Sequence, residues 1–244
     1  MTSHAPYRDS TVNLKRAPVV LVALATLPLA PQSLPTQVRE VDRGMLILMR
    51  GAETVGREEF VVRRGRGSGA LAGFTVVSTA WYPAERPERS LGSVIELGPD
   101  SVPSATRLEA GNGELKRVLI GLGPRRITVR SATSSGESAR EYPVREPLVL
   151  VDDSLFAAHA FPPMPRNGTA RTLTLDGLRG PLVQVTDHGT APTSVGEATL
   201  QLRHLSIVSE GVERHLWYDP EGRIMKVEDP ALGLMAIRAQ EDAN

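Results

Sequence analysis

Cysteine is absent from all 244 residues. That excludes disulfides, thiolate metal sites, a cysteine nucleophile and the lipidated cysteine of a bacterial lipoprotein, so stability has to come from core packing alone. Lysine is almost absent as well: Lys15, Lys116 and Lys226 are the only three among 28 basic residues. The arginine bias reflects the base composition of the gene sooner than phosphate recognition. The 28 basic residues are balanced by 28 acidic ones, for a formal net charge of zero. Without a global field there is no electrostatic footprint for nucleic acid or for an acidic membrane surface. Internal repeats, coiled-coil heptads and low-complexity domains are missing too.

One apolar run is present near the start. Lys15-Arg16 precedes Ala17-Pro18-Val19-Val20-Leu21-Val22-Ala23-Leu24-Ala25-Thr26-Leu27-Pro28-Leu29-Ala30, a basic n-region followed by a short apolar h-region, as in a secretory signal peptide. The run is short for a membrane span, and Pro18 and Pro28 argue against a buried helix. Ala23-Leu24-Ala25 offers an A-x-A cleavage signal, and an uncleaved segment would serve as an N-terminal anchor. The expected organisation is a signal or anchor plus linker over 1–43, a β domain over 44–238 and a tail over 239–244. The expected location is periplasmic or secreted.

The rest of the chain is written in turns and alternation. Asp219-Pro220-Glu221-Gly222 fits a type I turn, with Pro presetting φ at the second position and Gly closing it. Before it, Leu216 and Tyr218 alternate with His215 and Trp217; after it, Met225 and Val227 alternate with Ile224, Lys226 and Glu228. Asp229-Pro230 ends that strand and Gly233–Ile237 begins another, which predicts a C-terminal meander. Upstream, the run 44–50 and the segment 57–64, with Glu58, Phe60 and Val62 on one face, form a first hairpin. Further strands are predicted at 74–82, 93–97, 105–110, 116–122, 125–132, 171–175, 182–186 and 198–208, with Asn112-Gly113 as a two-residue hairpin loop. A single short helix is predicted over Asp153–Ala160, capped by Asp152 or Asp153 and stopped by Pro162-Pro163. Many short strands with scarcely a helix between them imply antiparallel pairing.

Three stretches carry a resemblance. Gly51…Gly56-Arg57-Glu58-Glu59-Phe60, Leu150-Val151-Asp152-Asp153-Ser154-Leu155-Phe156, and Leu216-Trp217-Tyr218-Asp219…Gly222-Arg223…Val227-Glu228…Pro230…Gly233-Leu234 resemble a group of exported bacterial proteins of unknown function. Their domain is placed near the lipoprotein-localisation carriers. The resemblance implies a strongly twisted antiparallel sheet curled into an open half-barrel around a helix or loop, and brings no catalytic residue with it. A mixed sandwich is the alternative architecture. By analogy with the carriers, the concave face would take a lipid or other amphiphile.

Candidate chemistry is sparse. Gly67-Ser68-Gly69-Ala70-Leu71-Ala72 matches G-x-G-x-x-A, but Phe74–Thr79 continues as a strand where a nucleotide fingerprint requires a helix, so it reads as a hairpin loop. Asp152, Asp153 and His159 could share one side of the short helix, although capping explains Asp152 more simply. Asp187-His188 could supply the acid and base of a serine triad, yet no serine sits in a G-x-S-x-G elbow. The histidines His4, His159, His188, His204 and His215 form neither H-x-x-x-H nor H-E-x-x-H, and His204 and His215 could meet only through strand register. No cofactor and no metal is expected. Asn167-Gly168-Thr169 is a glycosylation sequon that reads better as a turn. Leu46, Leu48, Phe74, Val76 and Phe156 are the expected lining of a ligand cavity, with Trp81 and Trp217 at its rim. Three functions follow: a non-enzymatic envelope protein that binds an apolar or amphiphilic ligand, a periplasmic hydrolase built on an Asp/His pair, or a structural module that pairs with another envelope protein.

Overall fold

The computed structural model describes residues 38–240 apart from 67–71, 86, 99, 112–114, 164, 166, 167 and 210. The export segment with its linker, the glycine-rich loop, the Asn112-Gly113 loop and the sequon's Asn167 lie outside the described residues. Alternation drives the described chain into strands: β1 (Arg39–Arg50), β2 (Glu53–Arg66), β3 (Ala72–Tyr82), β4 (Arg89–Leu97), β5 (Pro103–Gly111), β6 (Leu115–Leu122), β7 (Arg126–Thr133) and β8 (Gly136–Pro143). They continue as β9 (Leu148–Val151), β10 (Thr169–Thr174), β11 (Arg179–Val195), β12 (Ala198–Ser209), β13 (Val212–Tyr218), β14 (Ile224–Asp229) and β15 (Leu234–Arg238). All fifteen belong to one sheet, in the order β8-β7-β6-β5-β4-β3-β2-β1-β15-β14-β13-β12-β11-β10-β9. The fold is therefore mainly β and nearly all antiparallel. Two meanders run outward from a central seam where β1 pairs with β15, Leu46 opposite Arg238 and Arg50 opposite Leu234.

That order dictates a curl. Edge strands β8 and β9 are consecutive in the chain and separated only by residues 144–147. Such a link reaches about 17 Å when fully extended, whereas fourteen strand spacings laid flat measure about 67 Å. The sheet must bend until its edges approach, and because β8 and β9 do not pair it stays an open half-barrel. Contacts between the two wings agree: the Lys116 ammonium of β6 is 3.8 Å from the Asp176 carboxylate in the β10–β11 turn. In the same turn Gly177 takes φ +82°, and a Cβ there would collide with Val129 of β7.

Inward residues of each strand build the core. In β4 they are Leu91, Ser93, Ile95 and Leu97, in β2 Glu58, Phe60 and Val62, and in β13 Arg214, Leu216 and Tyr218, all buried. The Asp219–Gly222 turn forms as predicted, with the Gly222 N–H donating to Asp219 O at 3.0 Å and Gly222 at φ +81°. A register shift beside that turn breaks the simple alternation, so Ile224, Val227 and Asp229 are the buried residues of β14 while Met225 is half-exposed.

The structure departs from the sequence reading in four places. The first strand begins at Arg39, ahead of residue 44. Gly136–Pro143 is a strand although seven of its eight residues are exposed, so it has no apolar alternation to betray it. Strands β9 and β10 pair in parallel, from Leu148 opposite Arg171 to Val151 opposite Thr174. Parallel neighbours need a long crossover, here residues 152–168. Finally, the predicted helix Asp153–Ala160 contracts to a single 3₁₀ turn, Phe156–His159, entered from an extended Leu155 at φ −136° with no side-chain cap. Neither Asp152 nor Asp153 caps it.

Candidate functional site

The crossover passes through the concave side of the sheet and fills it. Leu155, Phe156 and Ala157 are at most 1% exposed, packed among the inward residues of the strands. Side chains from the sheet hold its backbone. The Glu58 carboxylate accepts the Phe156 N–H at 2.6 Å and the Ala157 N–H at 3.1 Å. The Tyr82 hydroxyl donates to Ser154 O at 2.7 Å, and the Tyr218 hydroxyl donates to His159 O at 2.9 Å. Arg214 donates to Asp152 O at 3.0 Å, to the Asp153 carboxylate at 2.6 Å and to the buried Asp229 carboxylate at 2.7 Å. A 3₁₀ turn too short to hold itself is thus fixed by polar groups projecting from three strands, β2, β3 and β13.

Burial sets the electrostatics of this clamp. Desolvation pushes the pKa of Glu58 up to about 7, against the pull of the Ser78 hydroxyl and the two backbone N–H groups. Its second oxygen, Oε1, has no well-aligned partner, and Ser78 itself bonds Ser93 Oγ at 2.9 Å. Burial, with the Arg214 guanidinium second, pushes His159 down to about 3, so it is a neutral imidazole at any physiological pH. Burial also raises Asp152, whose carboxylate accepts the Ser154 N–H at 2.8 Å. Desolvation raises both tyrosines.

The catalytic candidates do not assemble. Asp152, Asp153 and His159 belong to the filling segment; His159 is 1% exposed, and its Nε2 lies 3.5 Å from Arg214. Asp187 and His188 separate at a β-bulge in β11. Asp187 pairs with Arg203 at 2.7 Å on the inward row, and bonds from Arg203 and the Gly189 N–H hold its pKa down. His188 instead meets Ser206 Oγ at 2.9 Å on the outer face. This is a nucleophile–base distance, but Ser206 is 1% exposed and the carboxylate that would orient His188 is committed to Arg203, so the pair lacks the triad's third member and an accessible nucleophile.

The expected ligand lining divides between the two faces. Leu46, Leu48, Val76 and Phe156 are at most 1% exposed and pack against one another, so they form a solid core and line no cavity. Phe74 is half-buried against Phe161, with ring centroids 4.8 Å apart. Trp81 and Trp217 lie on the opposite, outer face of the sheet: Trp81 borders a groove with Met45, Val61 and Val77 under the Arg57 guanidinium, and Trp217 stacks on His204. Side-chain parity places them there, because Trp81 and Trp217 each alternate with a buried neighbour.

What remains open on the concave side lies beside the filling segment. One cleft of about 380 Å³ runs between Leu97 at the end of β4, Val102 of the β4–β5 connection, β9 (Leu148, Leu150) and the segment's Phe161 and prolines, with Asp100, Ser101, His159 and Arg203 among its lining. A second, of about 550 Å³, carries the charged groups Arg89, Lys116, Asp152, Asp153 and Asp176 around apolar residues such as Leu91, Leu108 and Leu155. Sequence reasoning missed the clamp itself. A signal was there: Glu58 and Arg214 occupy inward positions between apolar residues, and a charge in such a row needs a buried partner.

Register also builds a row of imidazoles on the outer face. His204 Nε2 is 3.0 Å from His215 Nδ1, and the His188 and His204 rings stack with centroids 4.5 Å apart. Desolvation first, then the two neighbouring imidazoles, lowers the pKa of His204. Among the described residues no group of three His, Asp or Glu donors closes on one point, and no helix is long and apolar enough to cross a membrane. Comparison of the chain with protein-family models, curated proteins and solved structures finds no match.

Proposed function

We propose that this chain is an exported, non-enzymatic envelope protein that binds a single-chain apolar or amphiphilic ligand at the open side of its half-barrel. The observation that carries this reading is the apolar cleft of about 380 Å³ beside the filling segment, where Leu97, Val102, Leu148, Leu150 and Phe161 face one another and Arg203 stands among the lining. Mainly apolar walls with a few polar groups, here Asp100, Ser101, His159 and Arg203, are the composition of a ligand pocket. The volume suits one acyl chain and is too small for a multi-chain lipid, because the segment 152–160 already occupies the centre. Export is supported by the basic and apolar pattern of Lys15–Ala30, which would also supply any membrane attachment. Hydrolysis has no such support, since the Asp and His candidates are locked in structural bonds.

Displacement of a fluorescent single-chain fatty acid tests the reading. Val102 is 54% exposed on the cleft wall, so Val102→Arg leaves the core untouched while charging the pocket. Saturable binding by the parent chain, weakened about tenfold or more by Val102→Arg, supports it. No saturable binding, together with native mass spectra of cell-derived protein that show only the bare chain, overturns it.

A further inference from the structure

The outer face of the central strands takes no part in the cleft, and strand register arranges it in two adjacent rungs. Ile47 of β1 lies opposite both Ile237 of β15 and Arg57 of β2, and Arg57 lies opposite Trp81 of β3. One step along, Met45 lies opposite Glu59, Glu59 lies opposite Thr79, and the Ala239 N–H donates to Met45 O at 2.8 Å. These side chains point outward because they alternate with the buried Leu46, Glu58 and Ala80. Glu59 is exposed and every other member of the two rungs is half-buried.

The rungs differ in bulk and in charge. Ile237, Ile47, Arg57 and Trp81 make a ridge of long side chains. Beside it, Met45, Glu59, Thr79 and Ala239 border a groove of about 460 Å³ that Val61 and Val77 continue. The Arg57 guanidinium lies 5.0 Å over the Trp81 ring, yet its Nε is buried without a hydrogen-bond partner. Among the described residues neither Arg57 nor Glu59 enters an ion pair. An unpaired guanidinium half out of water is a cost to the isolated chain, and a carboxylate brought by another molecule removes it.

We propose that this face binds a second copy of the chain, in a dimer whose two-fold axis crosses the strands between the two rungs. Sheets packed face to face keep their strands nearly aligned, and an axis in that direction exchanges one rung for the other. Arg57 of each copy then meets Glu59 of the other, so both charges are satisfied twice over by symmetry. Ile47 meets Met45, Ile237 meets Ala239 and Trp81 meets Thr79, which lays each ridge in the opposite groove. A lipid surface would cover the apolar residues and leave Glu59 facing it unpaired; a second copy answers both rungs at once. The interface is independent of the amphiphile cleft, which opens on the other face of the sheet.

Sedimentation velocity of the full chain across micromolar concentrations tests the proposal. Arg57→Glu sets carboxylates against carboxylates across the axis and Glu59→Arg sets guanidinium groups against each other; each should weaken the dimer about 100-fold or more. The double variant Arg57→Glu/Glu59→Arg restores opposite charges and should recover the parent's affinity to within about tenfold. Circular dichroism of each variant checks that the sheet is intact. Independently, Trp217→Phe leaves Trp81 as the single tryptophan, and its emission should move to the blue as the dimer forms. A parent that stays monomeric, a dimer that survives both single reversals, or an intact double variant that stays monomeric overturns the proposal. So does a Trp81 shift that appears only with phosphatidylglycerol vesicles, which would assign the face to a membrane surface.

Discussion

The concave centre and the outer histidine row draw on the same residue types and use them oppositely. Inside, His159, Arg214, Asp229 and Glu58 are at most 8% exposed, and nearly every polar atom is spent on holding one segment of backbone. Outside, His204 and His215 are half-exposed, and one nitrogen of each bonds the other at 3.0 Å. Burial turns a titratable group into a structural one, because a desolvated charge survives only with a partner of fixed geometry. Partial exposure leaves a lone pair exchangeable. Of the residues that looked catalytic in sequence, His159 is therefore the least available for chemistry, whereas His204 and His215, dismissed as an accident of register, are more accessible.

The largest test of that contrast is Arg214→Met. It leaves Asp229, 4% exposed, without its guanidinium and frees the Asp152 carbonyl; a loss of about 3–5 kcal/mol is expected in urea unfolding. His204→Phe, read in the same experiment, should change stability by less than about 1 kcal/mol. If the two substitutions cost the same, the distinction between clamp and outer row fails.

Next comes the pH dependence of stability. His159 binds its proton only near pH 3 when folded and near 6.5 when unfolded, so the unfolded state holds more protons between those values and stability is lost as pH falls through that window. Glu58 runs the other way: folded near 7 and unfolded near 4.5, it keeps a proton that the unfolded chain releases, so stability is lost as pH rises from 4.5 to 7. The Glu58 contribution is roughly 3 kcal/mol across its window. Where the windows overlap the slopes oppose, which predicts a plateau from about pH 4.5 to 6.5 with a fall on each side. Glu58→Gln should remove the alkaline fall and leave the acid one, as followed by melting temperature against pH; an unchanged profile would place the titration elsewhere. A smaller effect than for Arg214 is expected for Tyr218→Phe, which deletes one hydrogen bond to His159 O and should cost about 1 kcal/mol in the same unfolding assay.

Legibility in the sequence followed local physics. The Asp219–Gly222 turn and the inward set Glu58, Phe60 and Val62 are visible because a turn needs particular φ values and a half-buried strand needs a period of two. Gly136–Pro143 was invisible as a strand because an exposed edge makes no demand on side-chain polarity. The helix over Asp153–Ala160 was misjudged for the converse reason: its conformation is imposed by Glu58, Tyr82, Arg214 and Tyr218, which are remote in the chain. Trp81 and Trp217 were assigned to the rim of the same cavity as Leu46 although parity sends them outward.

By itself, the sequence determined the class of structure, a mainly antiparallel β domain punctuated by turns, because alternation and turn chemistry act between near neighbours. Tertiary structure alone decided the pairing of β1 with β15, the inward crossover that fills the concave face, and the meeting of His188, His204 and His215. Each of those depends on strand register and on how far a short link between β8 and β9 can reach, and neither quantity is written in any one stretch of the chain.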